Sequence, residues 1–150
     1  MPASVLQLVD VLTPNQTEAK VLTGRSPDAL ADPEEVARDQ IRAGVKQVVM
    51  TLGEKGALIV TASSSRHVAA MKMSAVDTTG AGDAFNAGLA TALASGESLE
   101  SAVEFAVVIG GVAVTKEGVI PALPKREEVV QFYRQRSLKP LDWLLAIGTQ

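Results

Sequence analysis

Apolar and polar positions in the first part of the chain predict a strand followed by a helix. The apolar stretch at residues 5–12 ends at Thr13 and Pro14, where proline stops the pairing of a central strand and turns the chain. Asn15 is placed to cap the following helix, and Glu18, three residues later, can return a bond to the backbone of the cap. Gly24 suits the left-handed conformation that ends a helix.

A second helix has clear start and stop signals. Asp32 is suited to the N-cap, Pro33 to the first helical position, Glu35 to closing a capping box, and Gly44 to the helix end. We therefore expect a helix between these residues.

The following segment predicts strands joined by tight turns. We expect a buried strand at 47–52, a turn at 53–56, a further strand at 57–61, a loop tip at 63–65 and a short strand at 67–71. The order strand, helix, helix, strand indicates a parallel pair joined by a helical crossover, which the turn then extends antiparallel. The predicted architecture is α/β.

Helices dominate the prediction for the remainder of the chain. An alanine- and leucine-rich helix at 83–94 is followed by a helix that Ser98 caps, and by an amphipathic helix at 126–134. Gly110 and Gly111 interrupt the second of these helices, which predicts a close approach of another helix or a ligand. The tail at 139–150, with Trp143, Leu144, Leu145 and Ile147, is apolar.

Composition excludes several classes of function. The chain has 150 residues, a net charge of -3 and 3% aromatic residues, which argues against a nucleic-acid-binding surface. It has no cysteine, so disulfides and thiolate metal sites are excluded. Neither a signal peptide nor a membrane span is indicated, and we expect a cytoplasmic protein with no membrane partner. The single His67 is expected to be exposed or at a sheet edge, without a functional role.

Residues 75–85 carry the most informative chemistry. Gly80 and Gly82 precede Asp83 at the start of a predicted helix, where free backbone N–H groups and the helix dipole favour an anion. A carboxylate beside an anion site is repelled by it, so Asp83 is expected to have a function there. It can accept the proton of an attacking hydroxyl while the N–H groups of Gly80, Ala81, Gly82 and Asp83 stabilise a phosphoryl group. The alternative is that Asp83 only caps its helix.

Two common phosphate-binding motifs are not present. The spacing of a P-loop does not occur, and Gly80-Ala81-Gly82 lacks the third glycine of the dinucleotide-binding fingerprint. Neither of the two common nucleotide-binding folds is therefore indicated.

The sequence resembles the C-terminal half of the ribokinase-like carbohydrate kinases, the phosphofructokinase B family. Residues 77–85, Asp-Thr-Thr-Gly-Ala-Gly-Asp-Ala-Phe, are similar to that family's second signature, and residues 13–18 to its Asn-x-x-Glu motif. The resemblance extends from about residue 9 to residue 136. It implies an α/β three-layer sandwich with a mostly parallel central sheet flanked by helices. Residues 1–136 would be the nucleotide-binding half, and 137–150 an atypical apolar tail.

The resemblance also implies roles for individual residues. Asp83 would be the catalytic base, residues 80–83 the anion hole, and Asn15 and Glu18 would organise the phosphates of ATP and Mg²⁺, with Glu18 acting through water. A capping box formed by Asn15 and Glu18 is compatible with this role. The turn beside the nucleotide would consist of Thr51, Gly53, Glu54, Lys55 and Gly56, although Lys55 is equally suited to a solvated turn.

A monovalent cation site is implied at a second group of residues. In ribokinases the matching positions coordinate an activating ion, here K⁺, and they are Asp77, Thr79 and the backbone oxygens of Ala113, Lys116 and Gly118. Ala122 stands where a serine hydroxyl is usual, which weakens the match. The alternative for Asp77 is that it only caps a turn.

Members of the family are about twice as long as this chain, and their N-terminal half supplies most of the residues that hold the sugar. The resemblance therefore leaves the acceptor open among ribose, fructose, a phosphorylated sugar and a nucleoside. An alternative to a kinase that uses ATP and a small sugar is a non-catalytic nucleotide-binding or interaction module that lacks the sugar-binding half. We also expect self-association or a complementing N-terminal half as a partner.

Overall fold

The computed structural model describes residues 3–146, except for the side chain of residue 3. The chain divides into two compact units, residues 1–72 and residues 73–150. The first unit contains the sheet, and the second consists of helices and irregular segments. Within the described residues, no helix is both long and apolar enough to cross a membrane.

Within its described residues, the first unit combines a four-stranded sheet with three α-helices. Its elements are α1 (Ala3–Leu6), β1 (Val11–Leu12), α2 (Gln16–Leu22), α3 (Pro33–Arg42), β2 (Gln47–Thr51), a 3₁₀ turn (Gly53–Lys55), β3 (Ala57–Thr61) and β4 (Ser65–Val68). The strand order is β1-β2-β3-β4. The core of this unit joins buried side chains of β2 and β3, such as Val48 and Val60, to Val36 and Ala37 of α3 and Ala19 of α2.

The sheet is mixed, which corrects the expectation of a mostly parallel sheet. β1 and β2 are parallel and are joined through α2 and α3, as the sequence predicted. β2 pairs antiparallel with β3, and β3 with β4. The reason is connection length, since a turn of a few residues can only join antiparallel neighbours. The expected antiparallel extension is confirmed.

The prediction for the first strand is mostly wrong. Residues 5–12 do not form one strand; α1 occupies Ala3–Leu6, and only Val11–Leu12 pairs with β2. A short apolar run has no periodicity that separates a strand from a buried helical turn. In the helical conformation Leu6 is buried in the core cluster, whereas Val5 and Leu8 are exposed.

Two further boundaries in this unit differ from the prediction. The last strand is Ser65–Val68 rather than 67–71, because its register begins opposite Val60 immediately after the turn. Asp32 is the N-cap of α3 as expected, but its carboxylate accepts the N–H of Glu34 at 3.3 Å. Glu35 lies 3.7 Å from Arg25, so an ion pair replaces the capping-box bond predicted for it.

The second unit is built around two closely packed helices. Its elements are α4 (Ala81–Ala94), α5 (Leu99–Ala113), α6 (Arg126–Gln135) and α7 (Asp142–Ala146). A Cβ atom added to Gly88 would lie 2.9 Å from Cγ1 of Ile109, which shows that glycine permits the close contact of α4 with α5. Gly110 likewise faces the carbonyl oxygen of Ala81, at 3.4 Å from a Cβ position. The predicted close approach is confirmed, but α5 continues through both glycines without interruption.

The described part of the apolar tail packs within the second unit. Trp143 makes an edge-to-face contact with Phe105 of α5, with ring centroids 5.2 Å apart. The guanidinium of Arg126 donates to the carbonyl oxygens of Leu144, at 2.7 Å, and Leu145, at 2.9 Å. These contacts supply the partner that the sequence did not identify. Ile147 lies outside the described residues, and the domain boundary at residue 136 stays a prediction.

Candidate functional site

In the first unit, Asn15 and Glu18 form a reciprocal capping box at the start of α2. The side chain of Asn15 accepts the N–H of Glu18 at 2.9 Å, and the carboxylate of Glu18 accepts the N–H of Asn15 at 3.0 Å. Both residues are exposed. The predicted capping box is confirmed, and it fixes two polar side chains at the point where β1 ends.

Thr51 lies beside this capping box. It forms a parallel bridge with Asn15, and its N–H donates to the carbonyl oxygen of Pro14 at 3.0 Å. Since β1 and β2 are parallel, their carboxyl ends meet at one edge of the sheet, which is where open α/β sheets bind ligands. The structure therefore brings together Asn15, Glu18 and Thr51, as expected for one binding region.

The turn after Thr51 is a tight 3₁₀ turn with exposed Glu54 and Lys55. Gly56 has φ of 98° and packs so closely on β4 that an added Cβ would overlap the carbonyl oxygen of Val68. Nε2 of His67 lies 2.7 Å from the carbonyl oxygen of Lys55. His67 is exposed, as predicted, yet it holds this turn, a contact that the sequence alone did not indicate because its partner is a backbone atom twelve residues away.

An open cavity of about 380 Å³ adjoins the capping box. Its lining is mainly apolar and comes from the end of β1, from Pro14 and from α2, with Glu18 in its wall. Of the residues predicted to bind the nucleotide and Mg²⁺, Glu18 therefore also lines this cavity.

In the second unit, Asp83 occupies the third position of α4 and is exposed. Gly80 is the N-cap, with φ of 78°, and α4 has no side-chain cap. Asp83 therefore does not cap its own helix in this structure. A helix start without a side-chain cap leaves backbone N–H groups free, and the dipole adds a partial positive charge there.

The four predicted anion-hole donors are not equivalent. The N–H of Ala81 donates to the carbonyl oxygen of Thr78 at 3.2 Å, which closes the turn before the helix. The N–H groups of Gly82 and Asp83, at the second and third helical positions, point out of the helix start. Gly82 is exposed, and a Cβ there would meet no atom within 4 Å. An anion can approach these groups without hindrance.

Asp77 ties two loops of the second unit together. One carboxylate oxygen accepts the N–H of Thr79 at 2.9 Å, and the other accepts the N–H of Gly118 at 3.0 Å. The hydroxyl and N–H of Thr79, followed by the N–H of Gly118, hold the pKa of Asp77 below its usual range. The carboxylate is therefore ionised near neutral pH, and the turn-capping alternative describes part of its role.

The residues predicted to bind a monovalent cation are brought close in this region. Asp77 bonds Gly118 directly, and the carbonyl oxygen of Ala113 accepts the N–H of Lys116 at 3.2 Å. An ionised carboxylate has about four acceptor positions, so the hydroxyl and N–H of Thr79 and the N–H of Gly118 still leave capacity for an ion. Oxygen donors of this kind fit a hard cation. Among residues 3–146, no group of three acidic, histidine or cysteine side chains could hold a metal ion, so a cation here would depend on backbone oxygens as well as on Asp77.

Glu128 was missed by sequence reasoning. Its carboxylate accepts Nζ of Lys116 at 2.6 Å and the N–H of Lys125 at 2.7 Å. Lys116 first, and then the N–H of Lys125, hold the pKa of Glu128 below its usual range. The spacing from Lys125 to Glu128 is that of a helix start, but nothing in the sequence pairs Glu128 with Lys116.

Comparisons with known proteins agree with the resemblance. A model of the pfkB family of carbohydrate kinases matches residues 1–126. A ribokinase of Haemophilus influenzae is 36% identical over 131 residues, which are 85% of this chain and 42% of the relative. The chain thus spans less than half the length of the curated relatives it matches.

Solved structures give the same result for the fold. A ribokinase from Thermotoga maritima is similar with a TM-score of 0.82 and 36% identity, covering 89% of this chain and 45% of its own. Arabidopsis thaliana ribokinase complexed with ribose and ATP has a TM-score of 0.79 and 33% identity, covering 87% and 42%. A Vibrio cholerae fructokinase double mutant, bound to fructose, ADP and potassium ion, has a TM-score of 0.75 and 32% identity, covering 86% and 42%. The predicted ribokinase-like α/β fold is confirmed.

Proposed function

The chain belongs to the pfkB family of carbohydrate kinases, and we propose that the protein transfers the γ-phosphate of ATP to a hydroxyl group of a sugar or related small alcohol. The observation that carries this proposal is the exposed Asp83 beside the uncapped start of α4. A carboxylate next to an anion-binding helix end, and not used as its cap, is suited to removing a proton from an attacking alcohol.

The proposed step is an in-line displacement at the γ-phosphorus. The hydroxyl oxygen of the acceptor forms a bond to phosphorus, the bond from phosphorus to the β,γ-bridging oxygen breaks, and ADP leaves. Asp83 receives the hydroxyl proton. The N–H groups of Gly82 and Asp83 donate to the oxygens of the transferring phosphoryl group, and a donor of this kind contributes about 10²–10³-fold to the rate.

The nucleotide is assigned to the carboxyl edge of the sheet in the first unit. The capping box of Asn15 and Glu18, with Thr51 beside it, supports this assignment because polar side chains are held there in fixed positions. We assign Glu18 to Mg²⁺ through water, and Thr51, Gly53, Glu54, Lys55 and Gly56 to contacts with the nucleotide. Mg²⁺, when bound, neutralises negative charge on the phosphates.

We assign a monovalent cation, K⁺, to Asp77, Thr79 and the backbone oxygens of Ala113, Lys116 and Gly118. The lowered pKa of Asp77 and its direct bond to Gly118 support the assignment. The bound potassium ion of the Vibrio cholerae fructokinase supports the choice of ion. Within this scheme, the cation would add positive charge near the loop that precedes α4.

A second candidate is a non-catalytic module that binds nucleotide. It is motivated by the extent of the match, since the 131 matched residues cover 42% of the Haemophilus influenzae ribokinase. Two measurements separate the candidates. The purified chain is mixed with Mg-ATP and K⁺, and ADP release is followed with ribose, fructose, a phosphorylated sugar, a nucleoside or no acceptor; ATP binding is measured in parallel by calorimetry.

ADP release that depends on one acceptor is the result expected for the kinase. ATP binding without acceptor-dependent release would support the module instead, and absence of both would contradict both candidates. The cytoplasmic location, a second copy of the chain and a complementing N-terminal half stay predictions. Sedimentation at several concentrations tests self-association, and a monomer throughout would contradict it.

A further inference from the structure

The irregular segment 114–125 supports the loop that precedes α4. The carbonyl oxygen of Val114 accepts the N–H groups of Val76, at 2.7 Å, and Asp77, at 3.2 Å, and Gly118 donates to the Asp77 carboxylate. Val119 packs on Gly80, since a Cβ atom there would lie 2.8 Å from its Cγ1 atom. The position of the loop at 76–80 therefore depends on the position of this segment.

The segment itself has little regular structure to hold it. It contains no helix or strand, and its own backbone bonds are those of isolated turns, such as Leu123 N–H to the carbonyl oxygen of Ile120 at 3.3 Å. A segment with few internal bonds opens at a low free-energy cost unless side chains fix it. Lys116, in its first half, is such a side chain.

Lys116 is held by Glu128 in the first turn of α6. Their 2.6 Å ion pair is half-buried, with side-chain exposures of 31% for Lys116 and 41% for Glu128. The second carboxylate oxygen of Glu128 accepts the N–H of Lys125 at 2.7 Å, so both ends of the segment are bound to one residue. α6 is anchored in turn by the buried Val129, Val130 and Tyr133.

We propose that Glu128 is a positioning residue, which holds the backbone of Lys116 and Gly118 in place and thereby fixes Asp77 and Gly80 in front of α4. This proposal rests on the proposed function, because that function gives Asp77, Lys116 and Gly118 the cation and Gly80 the phosphoryl group. Glu128 touches neither ligand. It acts through Lys116, and the two form a latch, defined as the Lys116–Glu128 ion pair.

The alternative is that Glu128 serves only as a helix cap for α6. Glu128→Gln separates the two roles, since a glutamine side-chain oxygen can still accept the N–H of Lys125 but the charge that holds Lys116 is lost. Glu127→Gln is the matched control. It removes the same charge from the adjacent residue, whose side chain is 75% exposed. The carboxylate of Glu127 lies 3.7 Å from Arg126, a longer ion pair than the 2.6 Å pair of Lys116 and Glu128.

The test is residue-specific amide exchange measured by NMR on the whole chain without nucleotide. Reporter amides are Gly118, Val76 and Asp77, and the reference is Ser101 at the start of α5, which donates to its own cap Ser98. An ion pair near the protein surface changes a local equilibrium by about 1.5- to 5-fold, and we apply this range to the half-buried Lys116–Glu128 pair. We expect Glu128→Gln to speed exchange of the reporters by that factor and to leave Ser101 unchanged. Lys116→Met should do the same, and the double variant should add nothing further.

The same samples are titrated with KCl, and the shift of the Gly118 resonance gives the half-saturating concentration. We expect this concentration to rise by about the same factor in Glu128→Gln, because ordering of the segment then accompanies binding. The proposal would be overturned if the reporter amides of Glu128→Gln exchanged at the rates found in Glu127→Gln, or if all amides of Glu128→Gln exchanged faster by the same factor. Neither measurement requires turnover, so an inactive chain with a working latch would refute the proposed function alone.

Discussion

A methyl group added at Gly56 is predicted to destabilise the first unit far more than one added at Gly53. Both glycines have positive φ, 98° and 61°, so alanine is strained at either position. The spaces around them differ. A Cβ at Gly53 meets nothing within 4 Å, whereas one at Gly56 would overlap the carbonyl oxygen of Val68 and lie 2.6 Å from the nitrogen of Ala70.

The magnitudes follow from these two terms. Left-handed backbone in a residue with a side chain costs about 1–2 kcal/mol, which is the whole expected cost of Gly53→Ala. Gly56→Ala adds displacement of the β4 backbone, and overpacking of this kind costs about 1–3 kcal/mol more. We therefore expect the free energy of unfolding to fall by about 2–5 kcal/mol for Gly56→Ala.

Urea unfolding followed by circular dichroism measures both variants. The slope of the free energy with urea must stay the same for the comparison to report stability. Equal losses for the two substitutions would refute the reasoning, because φ alone would then explain the cost. A nearly unchanged Gly56→Ala protein would show that the 3₁₀ turn does not pack on β4 as described.

Three other predictions follow from the second unit. Gly88→Ala should lower the free energy of unfolding by about 1–3 kcal/mol, because the added methyl group presses on Ile109. Gly82→Ala, where the space is open, should raise the free energy of unfolding by up to about 1 kcal/mol. Thermal unfolding measures both variants, and equal effects would contradict the packing of α4 on α5. Tyr133, the single tyrosine, should titrate at about pH 12 by tyrosinate absorbance, because burial raises its pKa from 10.0 to about 12. Its contribution to stability is then complete below pH 10 and is lost as the pH rises through the pKa of the folded state. A midpoint near pH 10 in the folded protein would contradict the burial of Tyr133. Because the pKa of Asp77 is lowered in the folded protein, its carboxylate stabilises the fold above the unfolded-state pKa, and this stabilisation is lost as the pH falls through the folded-state pKa. The unfolding midpoint of Asp77→Asn should therefore depend less on acid pH than that of the wild type. Parallel pH curves for the two proteins would argue against the bonds to Thr79 and Gly118.

Local signals in the sequence predicted the elements that have their own caps. The N-caps Asn15, Asp32 and Ser98 all start helices in the structure, because a capping side chain bonds a backbone only two or three residues away. β3 was predicted at its observed bounds because Gly56 and the polar residues after Thr61 enclose its apolar run. Where the signal was apolar character alone, as at residues 5–12, only the last two residues of the predicted strand pair with β2.

The contacts within the site depend on residues far apart in the chain and could not be predicted in this way. Asp77 bonds Gly118, 41 residues later, and Lys116 pairs with Glu128 across an irregular segment. His67 bonds a backbone oxygen, which has no signature in the sequence. The glycine pattern predicted an anion site at the start of α4, but the use of the Ala81 N–H by Thr78 became visible only in the structure.

Asp83→Asn tests the proposed removal of the acceptor hydroxyl proton by Asp83. The variant is compared with the wild type and with Glu100→Gln, which changes an acidic residue in the first turn of α5. We expect acceptor-dependent ADP release to fall by about 10²–10⁴-fold in Asp83→Asn, with ATP binding by calorimetry unchanged and Glu100→Gln fully active. Turnover retained by Asp83→Asn, at the acceptor that the wild type uses, would contradict the claim.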